Sequence, residues 1–192
     1  MTEISKALRQ FNPSMKEEDL ALLLPRINQI SAKKGDCLLR QGQVARYIYL
    51  IEKGGVKCYS PRRDRIIWAE FEGGFITIPN SISQQIPSEE ELECLEDCSL
   101  YAIRYTDLTT LYATNLQWAN WGRNFSEHWI RIMDTIYGIL SMKSATDRYE
   151  AVIRLQPDIL QRVSLKDLAS FLGISQVSIS RIRANTQVKA GN

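Results

Sequence analysis

Seven short runs of β-type residues, separated by glycines and polar residues, follow one another between residues 37 and 103. Short strands that alternate with turns at a regular spacing are typical of a compact antiparallel roll or barrel. The runs span residues 37–39, 47–51, 56–59, 66–71, 75–78, 92–95 and 99–103. The sequence therefore predicts that an antiparallel β-roll forms the centre of the molecule.

Helical patterns flank these runs on both sides. Residues 6–30 carry a helical pattern that Pro13 and Pro25 interrupt. After the last β-type run, the predicted helices span residues 106–114, 116–142 and 147–156, of which the second is long and contains no proline. The fold class that follows is α+β, with helices around an antiparallel roll of the jelly-roll type.

The long predicted helix has an apolar seam in which residues recur three or four positions apart, as in helices that pair with helices. The seam consists of Phe125, Trp129, Ile132, Ile136 and Leu140. We interpret it as the interface of a homodimer. The alternative is that the seam packs on the β-roll of its own chain, and a helix with tryptophans on several sides could do both.

The segment from Ser164 to Arg183 contains, in order, the signals of two short helices joined by a tight turn. Ser164 can cap the first helix, and Asp167 resembles the acidic half of a capping box. Gly173 can end that helix in a left-handed conformation, and Ser175 can cap the next helix. This order predicts a helix-turn-helix, a motif that enters the major groove of DNA.

The second of these helices is expected to bury one face and to present a polar one. Ile179 and Ile182 share a face, so Gln176, Val177 and Arg181 point outward together with Ser180. Glutamine and arginine can make paired hydrogen bonds to adenine and guanine, whereas cations at the rim contact phosphates. The candidate DNA-contacting residues are Lys166, Ser175, Gln176, Val177, Ser178, Ser180, Arg181 and Arg183. The plainer alternative is a two-helix corner in an ordinary helical domain.

Charge is distributed unevenly along the chain. The net charge is +2, but residues 159–192 alone carry +4, so the preceding residues sum to −2. A basic end on a mildly acidic body suits a small electrostatic footprint on DNA. No apolar run approaches the roughly 20 residues that span a bilayer, and the first residues lack a signal-peptide core, so we expect no membrane association and a cytoplasmic location.

Few residues point to catalysis or to a metal site. Metal-dependent jelly-roll enzymes need two or three histidines, and this chain has only His128. Cys94 and Cys98 stand four apart on a predicted strand, where their thiols would share one face as a redox pair or as two buried apolar groups. Two thiolates make only half of a usual metal site. The sequence therefore predicts no enzyme, no metal and no cofactor.

The order of helix, β-roll, long helix and helix-turn-helix resembles the Crp/Fnr family of bacterial transcription regulators. Residues 34–42 (KGDCLLRQG) and 47–54 (YIYLIEKG) look like the family's first strands, and residues 160–164 (LQRVS) and 168–175 (LASFLGIS) look like its DNA-binding domain. The resemblance implies a cyclic-nucleotide-binding-like sensor over residues 1–114, a dimerisation helix over 115–142 and a winged-helix-type DNA-binding domain over 143–192. It also implies double-stranded DNA, a second copy of the chain and RNA polymerase as partners.

The chain departs from the family at the effector site. Members that bind cyclic AMP use a glutamate for the ribose and an arginine for the phosphate, whereas here Gly74 stands where that glutamate is expected and Ser88 is followed by three glutamates. A phosphate would meet carboxylates, which reverses the sign of the interaction. The resulting degenerate effector pocket comprises Glu72, Gly73, Gly74 and Ser88. We expect no response to cyclic AMP, and an unknown small-molecule effector would bind between the roll and the long helix.

The reading face departs as well, because Gln176 and Val177 stand where the family's best-known pattern has arginine and glutamate. The sequence thus predicts a DNA-binding transcription regulator with its own operator. The alternative is a ligand-binding or protein-interaction module whose helix-turn-helix contacts protein.

Overall fold

The computed structural model describes residues 2–157 and 159–190, the last six of them by their backbone alone. The chain begins with two short helices, α1 (Glu3–Arg9) and α2 (Glu17–Leu20), and a 3-10 turn at Leu24–Arg26. The Thr2 hydroxyl caps α1 by accepting a hydrogen bond from the Ser5 amide. The helical pattern at the N-terminus therefore forms three short pieces.

Eight strands in two four-stranded antiparallel sheets form the β-roll. The strands are β1 (Asn28–Ala32), β2 (Cys37–Leu39), β3 (Tyr47–Lys53), β4 (Val56–Ser60), β5 (Arg65–Glu70), β6 (Phe75–Ile76), β7 (Glu91–Cys94) and β8 (Cys98–Arg104). One sheet has the order β1-β8-β3-β6 and the other β2-β7-β4-β5. The predicted antiparallel β-roll is confirmed.

Two elements of the roll differ from the sequence prediction. Strand β1 lies in the region that carries a helical pattern, and it pairs along its whole length with β8, from Asn28 opposite Ala102 to Ala32 opposite Cys98. Its side chains are exposed or half-buried, so its conformation is set by its partner strand and not by an apolar alternation of its own. A short helix, α3 (Pro79–Gln84), also follows β6, where proline suits the first helical position.

Two helices after the roll pack on it and on the N-terminal helices. They are α4 (Tyr105–Thr114) and the long helix α5 (Leu116–Ser141), which the Asn115 side chain caps. Trp118 and Trp121 of α5 are fully buried, and their indole nitrogens donate hydrogen bonds to the carbonyls of Asp19 and Leu8. The first half of the long helix is thus part of the core of the roll.

The remaining helices are α6 (Ala145–Leu155), α7 (Ile159–Arg162), α8 (Leu165–Leu172) and α9 (Gln176–Ala190). They form a second apolar core that includes Val163, Leu168, Leu172 and Ile179, and Ile66 of β5 contributes to it from the roll. Residues 145–157 and 159–190 hold no strand, so the strands of the expected wing do not occur in this described part of the chain. Within residues 2–157 and 159–190, no helix combines the length and apolar content that a membrane crossing needs.

Candidate functional site

Helices α8 and α9 each begin at a serine whose hydroxyl caps the helix, and a turn at Gly173 joins them. The Ser164 hydroxyl accepts a hydrogen bond from the Asp167 amide at 3.0 Å, and Gly173 adopts a left-handed conformation with φ of 65°. The Ser175 hydroxyl then accepts a hydrogen bond from the Ser178 amide at 3.1 Å. Each cap satisfies backbone groups that a helix end leaves without partners, so the angle between the two helices is fixed locally.

The side chains of α9 divide into a buried and an exposed face. Ile179 is fully buried and Ile182 nearly so, whereas Gln176, Val177 and Arg181 are exposed. Val177 is 60 % exposed. Helix α9 therefore presents an accessible face of mixed chemistry.

The other predicted DNA-contacting residues lie around this face. Lys166, Ser175 and Ser180 are exposed, whereas Ser178 and Arg183 are half-buried. Ser178 is engaged with Ser175, their hydroxyls 2.9 Å apart. Arg183 lies near the buried Tyr149: burial raises the pKa of that phenol, and the Arg183 charge partly offsets the rise.

Helix α8 docks on strand β5 of the roll. The Ser170 hydroxyl accepts a hydrogen bond from the Ile66 amide at 3.1 Å and donates one to the Asp64 carbonyl at 3.3 Å. On the adjacent strand, the Lys57 ammonium lies 3.1 Å from the Glu93 carboxylate and 3.7 Å from that of Asp167 in α8. These contacts join the C-terminal helices to the sheet.

Arg162 connects the C-terminal helices to the roll through several polar contacts. Its guanidinium bonds to both oxygens of Glu72, at 2.6 and 3.0 Å, and to both oxygens of Glu96, at 2.8 and 3.0 Å. It also lies 4.2 Å from the centroid of the Phe71 ring. The hydrogen bonds from Arg162 lower the pKa of Glu72 to about 2. The sequence patterns did not reveal this contact, because its three charged residues are far apart in the chain.

The predicted effector residues are already engaged with other parts of the protein. Besides binding Arg162, Glu72 accepts a hydrogen bond from the Gly54 amide at 2.8 Å. Gly73 has φ of 79°, and a Cβ on Gly74 would collide with the Glu70 carboxyl and the Phe71 carbonyl. No side chain fits at position 74 without a shift of the turn.

Ser88, the fourth predicted effector residue, lies between α3 and β7. It is buried, donates from its hydroxyl to the Glu90 carbonyl at 2.8 Å and accepts from the Glu90 amide at 3.0 Å. Its backbone amide donates to the Gln43 carbonyl. The hydrogen-bonding groups of Ser88 are therefore used within the loop itself.

The apolar seam predicted along α5 faces its own chain over most of its length. Phe125 and Trp129 are only 7 % and 8 % exposed, and they pack on Phe75 and Trp68 of the roll with ring centroids 5.6 and 5.7 Å apart. The prediction that these two residues form a dimer contact is therefore corrected, because little of their surface is left for a partner. Ile132 and Ile136 line a cavity between α5, β5 and the C-terminal helices, and Leu140 is half-buried.

A different stripe of α5, which was not predicted from the sequence, is exposed. Leu116, Ile130 and Tyr137 are 74 %, 68 % and 73 % exposed and stand on one line with Arg123, at intervals of seven residues. The positions three residues further on are Ala119, Ser126, Met133 and Leu140. Together they have the heptad spacing of a helix-pairing seam. The heptad spacing was visible in the sequence, but only burial distinguishes this stripe from the one that faces the roll.

The two cysteines of interest lie on two strands and not on one. Cys94 ends β7 and Cys98 begins β8, so the prediction of a shared strand is wrong, although the hairpin brings the thiols together. The hydrogen bond between these thiols and their burial raise the pKa of Cys94. All four cysteines of the chain are free thiols, and residues 2–157 and 159–190 hold no group of three or more metal-ligating side chains.

His128 lies on α5 at the rim of the cavity that Ile132 and Ile136 line. Burial lowers the pKa of its imidazole, and the nearby charge of Arg131 lowers it further. The neutral form is therefore favoured, which suits a packing position.

Comparisons with known proteins agree with this architecture. Residues 29–115 match the cyclic nucleotide-binding domain family. No curated protein sequence gives a significant match. Among solved structures, FixK2 from Bradyrhizobium japonicum is 17 % identical with a TM-score of 0.69, covering 85 % of this chain and 86 % of its own.

Two further structures are similar over most of their length. A regulator of the Crp/Fnr family from Eubacterium rectale, itself described as putative, is 16 % identical with a TM-score of 0.70 and covers 94 % of this chain and 88 % of its own. The c-di-GMP responsive global regulator CLP from Xanthomonas campestris is 20 % identical with a TM-score of 0.65. The match covers 91 % of this chain and 93 % of the CLP chain. At these identities the likeness shows a shared fold. Residues 29–115 therefore match the cyclic nucleotide-binding domain family, and the chain shares its overall fold with these three solved structures.

Proposed function

We propose that this protein is a transcription regulator of the Crp/Fnr type that binds double-stranded DNA through a helix-turn-helix made of α8 and α9. The main support is the accessible face of α9, where Gln176, Val177 and Arg181 stand clear of the protein while Ile179 and Ile182 anchor the helix. A helix held by one apolar face can present the other face to a groove.

The chemistry of this face suits base recognition. Gln176 offers a donor and an acceptor for the edge of adenine, Arg181 offers paired donors for guanine, and Val177 can contact a thymine methyl group. Lys166 lies on the neighbouring helix and is exposed, so it is available to a phosphate. The half-site should therefore contain both an A·T and a G·C pair.

We further propose that two copies pair along the exposed stripe of α5. Its last two heptads are apolar, with Ile130 and Tyr137 exposed, and Met133 and Leu140 beside them. In a two-fold dimer, the recognition helices would read two half-sites about 34 Å apart, which is one turn of DNA.

We also propose that cyclic AMP is not the effector. The only acidic side chain of the candidate turn, Glu72, is held by Arg162 and Gly54, and position 74 has no room for a side chain. A regulator of this type needs no catalytic step. At a promoter, we expect RNA polymerase to be a further partner. We expect it to work in the cytoplasm.

The test is selection of binding sites from random duplexes, measured at two salt concentrations for the wild type and two variants. The wild type should enrich one pseudo-palindromic motif and lose affinity as salt rises. Arg181→Ala should relax the preference at one base pair per half-site, at a cost of about 1–3 kcal/mol. Lys166→Ala should weaken binding evenly across sequences and lower the salt dependence.

Two results would contradict the proposal. One is the absence of DNA retention even at low salt, which would favour a protein-contacting module. The other is an Arg181→Ala variant that keeps the wild-type preference at every position.

A further inference from the structure

A cavity of about 440 Å³ lies where the roll, the long helix and the C-terminal helices meet. Its walls come from β5, α5, α6, α7 and α8, so the roll, the long helix and the C-terminal helices all contribute to it. This volume falls in the range that holds drug-sized ligands. The candidate effector residues Glu72, Gly73, Gly74 and Ser88 do not line the cavity, although the Glu70 carboxyl in its wall lies against Gly74.

The walls of the cavity are mostly aliphatic and aromatic. Representative lining residues are Ile66 and Trp68 from β5, Ile132 and Ile136 from α5, Val152 from α6 and Phe171 from α8. Apolar surface of this kind remains in contact with water in the empty protein, and covering it with a ligand is favourable in proportion to the area. An occupant must therefore have a largely apolar body.

Two polar groups in the wall, the buried Trp68 indole N–H and the Glu70 carboxyl, have no hydrogen-bond partner among the described residues. Glu70 lines the cavity, and no described residue donates a hydrogen bond to its carboxyl or forms an ion pair with it. Burial raises the pKa of this carboxyl to about 7. A buried carboxyl without a donor costs free energy that a ligand with a donor can recover. By contrast, Asp167, which also lines the cavity, already lies near the Lys57 ammonium.

We propose that this cavity is a binding site for a small, mainly apolar molecule whose N–H group donates a hydrogen bond to Glu70. Such a ligand would contact β5, α5 and the C-terminal helices at once. It would therefore stabilise the docked arrangement of the C-terminal helices over any arrangement that opens the cavity. An effect on DNA affinity rests on the proposed function, whereas binding itself does not.

The probe for this site is N-phenyl-1-naphthylamine, a neutral aromatic amine that fluoresces in apolar surroundings and carries one N–H donor. Its titration into the full chain should give a saturable signal with one site per chain. Ile136→Trp fills the cavity and should weaken binding at least tenfold. The matched control is Ile86→Trp, the same substitution at an exposed position between α3 and β7 that does not line the cavity, which should stay within twofold of wild type.

A second variant tests the role of Glu70 independently of the cavity-filling substitution Ile136→Trp. Glu70→Leu should weaken binding of the amine probe several-fold but leave unchanged the dissociation constant of 1-benzylnaphthalene, in which a methylene replaces the N–H, as derived from its displacement of the probe. Circular dichroism melting identifies any variant that fails to fold.

Absence of saturable binding, or equal binding by the wild type and a folded Ile136→Trp, would overturn the proposed site. Equal losses for both ligands in Glu70→Leu would overturn the assigned hydrogen bond. Because these titrations contain no DNA, their failure is distinguishable from a failure of the proposed DNA binding.

Discussion

At the scale of single residues, Arg162 shows how a charge in the C-terminal helices holds the roll. Its guanidinium donates hydrogen bonds to the carboxylates of Glu72 and Glu96 and lies over the Phe71 ring. These contacts replace much of the hydration that the charge loses there. Glu72 remains partly exposed, so solvent weakens the energy of this pair.

The pH dependence of this contact has a definite sign. Because the pKa of Glu72 is lowered to about 2 from 4.5, its carboxylate stabilises the folded state above the ordinary pKa, and this stabilisation disappears as pH falls toward 2. In urea unfolding, Glu72→Gln should be less stable than wild type at neutral pH. The difference in the free energy of unfolding should shrink steadily below about pH 4.5.

Glu89→Gln is the matched control for this measurement, because Glu89 faces Arg62 at 3.6 Å with both side chains well exposed. It should change stability little at any pH. A Glu72→Gln deficit that stays constant from pH 7 to about pH 3 would show that Glu72 does not act through its charge.

At the scale of elements, the effect of a residue on a helix depends on whether it lies at the helix end or within the helix. Gly173 ends α8 at φ of 65°, a region in which a Cβ is strained, while Gly138 lies within α5. A Cβ would meet nothing within 4 Å at either position. The two glycines therefore differ in backbone conformation and not in space.

This difference predicts opposite effects for the same substitution. Gly173→Ala should destabilise the protein by about 1 kcal/mol, because alanine is strained in the left-handed region. Gly138→Ala should stabilise it by about 0.5–1 kcal/mol, because alanine loses less backbone freedom in a helix. Urea unfolding measures both, and Gly173→Asn should cost less than Gly173→Ala. Equal effects of the two alanine variants would contradict this account.

The sequence predicts those elements whose signals are local. The strand at residues 37–39 has the predicted bounds, and the caps at Ser164 and Ser175 occur where their hydroxyls allow them. Strand β1 escapes prediction because its polar residues take their conformation from β8. The exposed side of α5 escapes for a related reason: apolar residues occur on several sides of that helix, and only the packed molecule shows which side is covered.

At the scale of the whole molecule, assembly should depend on the exposed stripe of α5. Ile130→Asp with Tyr137→Asp should give monomers in light scattering, because the charges would be buried in the seam without partners. The same double variant should bind a two-half-site operator much more weakly. It should remain folded, since both side chains are exposed in the single chain.

Val177→Asp is the control for assembly, because it also places aspartate at an exposed apolar position, but on α9. It should remain dimeric while losing DNA affinity through repulsion from phosphate. A double variant of α5 that stays fully dimeric would rule out this interface.

Strand β5 is the last strand of its sheet, and its outer side is covered by α8 through the bond from the Ile66 amide to Ser170. An uncovered outer strand offers unpaired backbone groups to the same strand of another molecule, which is a route to aggregation. The C-terminal helices would then be needed for solubility as well as for the proposed DNA binding. A chain cut after Met142 should form aggregates larger than a dimer, whereas the full chain should not.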